Sequence, residues 1–334
     1  MTTVVLGWDG LDAQLVDEFG LGQLFGDEWS RIKTFANEII GEPHTREVWP
    51  SIITGVSPNE HGIYAVEEGD GIKWSNPAIE AASDIAQYCL PHGVRTRIGR
   101  RLRSQGAEVE KFSADYYREY NLPTVFDGRR SLPIAVPNYW TERDDRHDYL
   151  FDRGAHLSQW LDRGSEGWQP VDREAQARVE QEMVAEATRK LGAVQAAIQR
   201  EYDLVFAWFG IVDTAGHVEP VSDGPIQRRA YELAAGWTEV LRRQLAPDDT
   251  LVCLSDHGLR DGHHTMDATV ASNSKDVVGS ITSVFDVRAA LGRVTAARDP
   301  VGTPPLQDRH THESGGEADT ASIVRQNLEQ LGYV

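Results

Sequence analysis

Carboxylates and imidazoles recur together at three points in the chain. Asp213-Thr214-Ala215-Gly216-His217 sets a carboxylate at the end of an apolar run and an imidazole four residues on. Asp256-His257-Gly258 sets both at the end of another run, and Asp9 closes the first one. His263 and His264 follow closely in Asp261-Gly262-His263-His264. Taken singly, such aspartates cap helices and such histidines lie on the surface. Three carboxylates and three or more imidazoles at converging strand ends are instead the donor set of one or two divalent cations. A mixed carboxylate–imidazole shell suits Zn²⁺ best, with Mn²⁺ or Fe next, because Mg²⁺ and Ca²⁺ prefer oxygen alone.

These residues meet only if the runs before them lie side by side. Residues 3–8 stop at Asp9-Gly10, 204–212 at Asp213 and 250–255 at Asp256. Continuous apolar runs of this kind suit strands buried on both faces of a parallel sheet. A weaker run, 132–136, is interrupted by Pro133. Helical patterns separate the runs: 172–202 spaces Val179, Met183, Ala187, Leu191, Val194 and Ile198 by threes and fours, and a second covers 226–245. The alternation predicts an α/β fold over residues 1–334, a mostly parallel central sheet flanked by helices on both faces. Ligands of such sheets bind outside the carboxyl ends of the strands, where Asp9, Asp213 and Asp256 fall. Residues 69–173, rich in Arg, Tyr, Trp and Pro without a clear period, read as a cap inserted beside the sheet. Residues 298–319 read as a flexible linker, and 320–334 as a C-terminal helix closed by Gly332.

The stretch after the first βα unit is more specific. It runs Pro43-His44-Thr45-Arg46-Glu47, then Thr54-Gly55 ten residues beyond Thr45, then Pro58 and His61-Gly62-Ile63. This pattern resembles the alkaline phosphatase superfamily, and within it the type I phosphodiesterase/nucleotide pyrophosphatase-like branch. Members carry a nucleophile, a Thr-Gly, a Pro and a His-Gly-Ile or His-Gly-Val in this order, and phosphodiesterases use Thr where sulfatases use Cys or Ser. The resemblance covers almost the whole chain and implies an alkaline phosphatase-like fold. Asp9 in Gly7-Trp8-Asp9-Gly10 matches the first metal ligand, Asp213 and His217 the Asp-x-x-Gly-His motif, and Ser255-Asp256-His257-Gly258 the Ser-Asp-His-Gly motif. By the same resemblance one cation takes Asp9, Thr45, Asp256 and His257, and the other takes Asp213, His217 and His264. The Thr-x-Pro common around the nucleophile reads Thr45-Arg46-Glu47 here.

The implied activity is hydrolysis of phosphate esters, by attack of Thr45, a phospho-Thr45 intermediate and its hydrolysis, with net retention at phosphorus. Coordination makes this plausible chemistry, because a Thr hydroxyl is a poor nucleophile until a cation lowers its pKa. A phosphotransferase or mutase would use the same site, and a non-catalytic metal-binding module would keep the ligands without needing Thr45. Arg46 is placed to hold a phosphate oxygen or, equally, to make a surface salt bridge. For the last ligand His264 competes with His263, His310 and His312. A short loop returns His264 to the strand ends at little entropic cost, and adjacent residues of an extended segment face opposite ways, which turns His263 aside. His61 reads as structural, Cys253 as core, and Tyr139 and Trp140 as filling the cap.

Composition limits the partners. The 334 residues carry 33 Lys+Arg against 52 Asp+Glu, a formal net charge of −19. Such a surface argues against nucleic acid duplexes and anionic membranes and leaves a small phosphoester as the expected partner. No apolar run is long enough to span a bilayer, and the N-terminus shows no basic leader. Two cysteines, Cys89 and Cys253, suggest a reducing compartment, the cytoplasm. Only Lys33, Lys73, Lys111, Lys190 and Lys275 are lysines; acid excess with scarce lysine is expected of a protein adapted to high salt.

Overall fold

A computed structural model describes residues 1–64, 112–146, 161–164, 167–170, 174–298 and 304. Its main sheet contains β1 (Thr3–Trp8), β2 (Glu28–Lys33), β3 (Ser131–Ile134), β6 (Leu204–Phe209), β7 (Thr250–Leu254) and β10 (Asp267–Ser272), in the order β2-β10-β7-β1-β6-β3. Two hairpins stand apart from it, β4 (Leu161–Gly164) with β5 (Gly167–Pro170), and β8 (Gly258–Arg260) with β9 (His263–Thr265). β1 runs parallel to both β6 and β7, β3 runs parallel to β6, and β10 is antiparallel to β7 and β2. The sheet is therefore mostly parallel, as the apolar runs predict.

β1 and β6 are buried along their whole length, which explains why neither alternates polar with apolar residues. Helices cover both faces. Gly7 faces the helix Thr45–Thr54 so closely that a Cβ would stand 2.5 Å from the Trp49 ring. On the opposite face, Cys253 lies opposite Leu6, and its Sγ is 3.9 Å from Thr238 Oγ1 on the helix Ile226–Arg242. Burial pushes the Cys253 thiol up to about 12, so it stays protonated and belongs to the core.

Several boundaries differ from the sequence reading. The 172–202 pattern is the helix Ala175–Ala197, and 226–245 ends at Arg242. The run 204–212 divides: β6 ends at Phe209, and the helix Ile211–Val218 begins after Gly210. Ser131–Ile134, inside the segment read as a cap, is an edge strand of the main sheet, and Tyr117, Val125, Phe126 and Tyr139 of the same segment join the common core. Residues 69–111, 147–160, 165–166 and 171–173 of that segment, the 298–319 linker beyond Arg298 apart from Pro304, and the 320–334 helix lie outside the described residues. Among the described residues no helix is long and apolar enough to cross a membrane.

Candidate metal centre

Two neighbouring strand ends build the first donor group. β1 and β7 pair in parallel with Gly7 opposite Leu254, so Asp9 and Asp256-His257 emerge at the same edge. Their three side chains are fully buried. His257 Nε2 lies 3.3 Å from both Asp9 Oδ1 and Asp256 Oδ2, and Nδ1 lies 3.1 Å from the Gly258 carbonyl oxygen. A ring nitrogen facing a carbonyl carries the proton, so Nδ1–H donates to Gly258 and the Nε2 lone pair faces the carboxylates. Gly10 turns the chain at φ 73°, and its N–H donates to Asp256 Oδ1 at 3.4 Å. A Cβ at Gly10 would stand 2.9 Å from Asp213 Cα, so the missing side chain brings the second donor group close to the first.

The second group comes from a helix and a hairpin. Asp213 and His217 are four residues apart on the helix Ile211–Val218, which puts them on one face with Asp213 Oδ1 3.4 Å from His217 Nε2. Asp213 thus sits in a first helical turn and not at the strand end that the sequence suggested. β9 supplies His264, whose Nε2 lies 3.5 Å from Asp213 Oδ1 and 3.0 Å from His217 Nε2. His264 Nδ1 lies 2.7 Å from the Pro43 carbonyl oxygen, and its backbone N–H donates to Glu42 Oε2 at 3.3 Å. His263 points away and is largely exposed beside Glu42. The His257 and His264 rings stack with centroids 4.0 Å apart, so the two groups adjoin. His310 and His312 lie outside the described residues.

Thr45 is the first residue of the helix Thr45–Thr54, and its Oγ1 lies 3.1 Å from Asp9 Oδ1 and 3.1 Å from His257 Nε2. His44 caps this helix, its Nδ1 accepting from the Arg46 N–H. Where the resembled pattern has Pro, Glu47 is buried and accepts from Asn37 Nδ2 at 2.6 Å, and the helical turn forms all the same. The Arg46 side chain is exposed, and its carbonyl accepts from Asn138 Nδ2 at 2.7 Å. His61 is buried away from the centre, with Nε2 3.0 Å from Ser51 Oγ and Nδ1 accepting from the Ile63 N–H. Burial pulls its pKa down to about 4, so it stays neutral. Tyr139 packs on Phe126 and Tyr117 in the common core, where the sequence reading had it filling a cap.

The electrostatics fit a cation. Burial, then the Asp9 carboxylate, hold the Asp256 carboxyl well above the usual carboxylate range. Burial, then His264, hold His257 well below the usual imidazole range. Burial also works against a charged His264, yet its hydrogen bond to Asp213 and the Asp213 charge outweigh that and raise it to about 9. Among the described residues Asp256 Oδ2 is buried without a hydrogen-bond partner. Lone pairs of Asp9, Asp256 and His257 that face one another away from water repel unless a proton or a cation lies between them. The three donor atoms lie within 4.8 Å of one another, as do those of Asp213, His217 and His264. One divalent cation per group would satisfy both sets, and carboxylate with imidazole is a shell that Zn²⁺ accepts.

The orienting contacts left no trace in the sequence. The Pro43 carbonyl and the Glu42 carboxylate reach His264 from more than two hundred residues away, and neither residue type marks such a role.

The family described as type I phosphodiesterase / nucleotide pyrophosphatase matches residues 3–278. No curated protein sequence matches the chain. Among solved structures, the alkaline phosphatase from the Antarctic bacterium TAB5 aligns over 89% of this chain and 99% of its own, at 13% identity and a TM-score of 0.41. The PH0037 protein from Pyrococcus horikoshii aligns over 90% and 98%, at 10% identity and 0.41. Phosphonoacetate hydrolase from Sinorhizobium meliloti 1021, in complex with phosphonoformate, aligns over 77% of this chain and 56% of its own, at 15% identity and 0.38.

Proposed function

The chain belongs to the type I phosphodiesterase / nucleotide pyrophosphatase family, a family of phosphoester hydrolases, and on that premise we propose that it cleaves small phosphate esters, diesters ahead of monoesters, through a phospho-threonine formed on Thr45. Asp9, Thr45, Asp256 and His257 would hold one divalent cation, and Asp213, His217 and His264 a second, with Zn²⁺ first and Mn²⁺ or Fe next. Bound there, the cations make the Thr45 hydroxyl more acidic and offset the charge that develops on the phosphoryl group.

The observation that carries this reading is the position of Thr45 Oγ1, 3.1 Å from an Asp9 oxygen and 3.1 Å from a His257 nitrogen. In the metal-free chain either can accept the hydroxyl proton; with a cation on the single lone pair of His257 Nε2, the Asp9 carboxylate is the acceptor left for it. The positive end of the Thr45–Thr54 helix lies at the same point and favours an anionic phosphoryl group. Arg46, exposed beside Thr45, is the residue proposed to hold a phosphoryl oxygen. As Thr45 Oγ gives up its proton to the Asp9 carboxylate and bonds to phosphorus, the P–O bond to the leaving group breaks, and the departing alkoxide takes a proton from solvent. Water then cleaves the Oγ–P bond, and the two displacements retain configuration at phosphorus. Zinc, the cytoplasm and work at high salt are parts of the reading that rest on the sequence.

The test is turnover of bis-p-nitrophenyl phosphate and p-nitrophenyl phosphate with Zn²⁺ or Mn²⁺, at low and high salt. The reading expects cleavage by the wild type and a trapped phosphoryl group on Thr45 in a rapid acid quench. Cleavage of both substrates at wild-type rates by Thr45→Ala would overturn it.

A further inference from the structure

Asp12 lies three residues beyond Asp9, is fully buried, and belongs to neither donor group. One of its oxygens caps the helix Ala13–Glu18, accepting from the Gln14 N–H at 2.8 Å and the Leu15 N–H at 3.3 Å. The other, Oδ2, accepts from Thr265 Oγ1 at 2.6 Å and pairs with Arg260 Nε at 3.2 Å. Its backbone N–H donates to Tyr231 Oη at 2.8 Å, and Tyr231 in turn donates to the Gly10 carbonyl at 3.3 Å. Asp12 is therefore tied to the Asp9-Gly10 turn on one side and to the β8–β9 hairpin on the other.

That hairpin carries His264. In its register Gly258 lies opposite Thr265, and Leu259 opposite His264. The two pairs face opposite ways, as neighbours along a strand do. Leu259 packs against the helix of Asp213 and His217: a Cβ at Gly216 would meet Leu259 Cδ2 at 2.1 Å, and Gln227 Nε2 donates to the Leu259 carbonyl at 2.7 Å. Thr265 turns to the other side and meets Asp12. The space there is full, since a Cβ at Gly258 would stand 2.2 Å from Asp12 Oδ2 and 2.4 Å from Thr265 Oγ1. The glycine of Ser255-Asp256-His257-Gly258 thus makes room for the Asp12 carboxylate.

We propose that Asp12 is a positioning residue, acting through Thr265 to hold His264 at the Asp213–His217 pair while its own segment holds Asp9. It sets the spacing of the two donor groups without touching either cation. This role rests on the two-cation reading above. A buried carboxylate accepting a hydroxyl proton and pairing with a guanidinium is a rigid link, and loss of such outer contacts lowers metal affinity by about 10–100-fold.

Zn²⁺ titrated calorimetrically into the metal-free full chain tests it, together with thermal unfolding of each metal-free variant. His264→Ala identifies the second site as the binding step that disappears. Thr265→Val removes the hydroxyl that links Asp12 to the hairpin, together with the 3.4 Å bond it accepts from the Asp267 N–H, and leaves the helix cap and the Arg260 pair in place. It is expected to weaken that same step about 10–100-fold, with the other step and the melting temperature of the metal-free chain unchanged. Asp12→Asn is the second variant and is expected to act on the same step. Equal weakening of both steps, or of neither, in Thr265→Val would overturn the role of Asp12. A wild-type chain that binds no Zn²⁺ at all would instead overturn the two-cation reading, and the role of Asp12 with it.

Discussion

Asp9, Asp256 and His257 are wholly buried, whereas His217 keeps 37% and His264 16% of its side-chain exposure. The first group stands on the ends of two paired core strands, so the sheet itself fixes its geometry. The second stands on a helix that starts after Gly210 and on a two-stranded hairpin outside the main sheet. Buried charge without water is costly, so the first group is the one whose lone pairs most need a proton or a cation between them. In the second group Asp213 is buried as well, while its two histidines have water as an alternative partner, and His264 is aimed by contacts from Pro43 and Glu42 and, through Thr265, by Asp12. Core strands provide rigidity at the cost of electrostatic strain; peripheral elements avoid the strain and depend on tethers.

The largest expected effect falls at Thr45, beside the first group. Thr45→Ala should lower kcat on any substrate the wild type cleaves by about 10³-fold or more, with Zn²⁺ content and fold retained. Metal analysis beside steady-state kinetics checks this. Next, His264→Ala should lose one cation and about 100-fold in activity, while His263→Ala, His310→Ala and His312→Ala stay close to wild type. The opposite pattern would transfer the last ligand to the C-terminal segment.

Asp256→Asn separates the groups by sign. It should abolish the first cation, yet raise the stability of the metal-free chain at pH 8 by about 1–3 kcal/mol, because a buried carboxylate is replaced by a neutral amide. Urea unfolding with and without Zn²⁺ measures both effects. pH gives a smaller signal. His264 is raised to about 9, so its stabilisation of the metal-free chain is complete below the ordinary imidazole pKa near 6.5 and is lost as pH rises through 9. Asp256, raised well above the carboxylate range, acts in the same direction. His257, held low, acts oppositely: its contribution is present above about 6.5 and is lost as pH falls toward its depressed value. Between the carboxylate range and about 6.5 the Asp256 and His257 contributions oppose each other, so metal-free stability should fall clearly only as pH rises above about 6.5, and saturating Zn²⁺ should remove that alkaline loss. The smallest effect is expected for Arg46→Ala, a rise in KM of about ten-fold or less with kcat little changed.

The sheet and most of the donors were legible for one reason: a strand buried on both faces must be apolar throughout, so an aspartate at its end is conspicuous. Asp9 and Asp256 stand out in this way. Asp213 and His217 were legible by their spacing although the element was misread, since a strand end and a first helical turn can both follow an apolar run. β2 and β10 were not read as strands. β2 is polar and half-exposed at the sheet edge, and β10, with small residues in Asp267–Ser272, is defined by pairing with β7 and β2 more than by its own composition. The Asn37–Glu47 contact and the Pro43 carbonyl were out of reach, because a hydrogen bond across the fold depends on packing and leaves no period in the chain.

Anomalous scattering from a crystal of the Zn²⁺-loaded full chain, recorded across the zinc edge, tests the central claim most directly. Two peaks about 4 Å apart are predicted, one bounded by Asp9, Thr45, Asp256 and His257 and the other by Asp213, His217 and His264. Zinc bound elsewhere with both groups empty, or a single ion that leaves Thr45 out of reach, would contradict it.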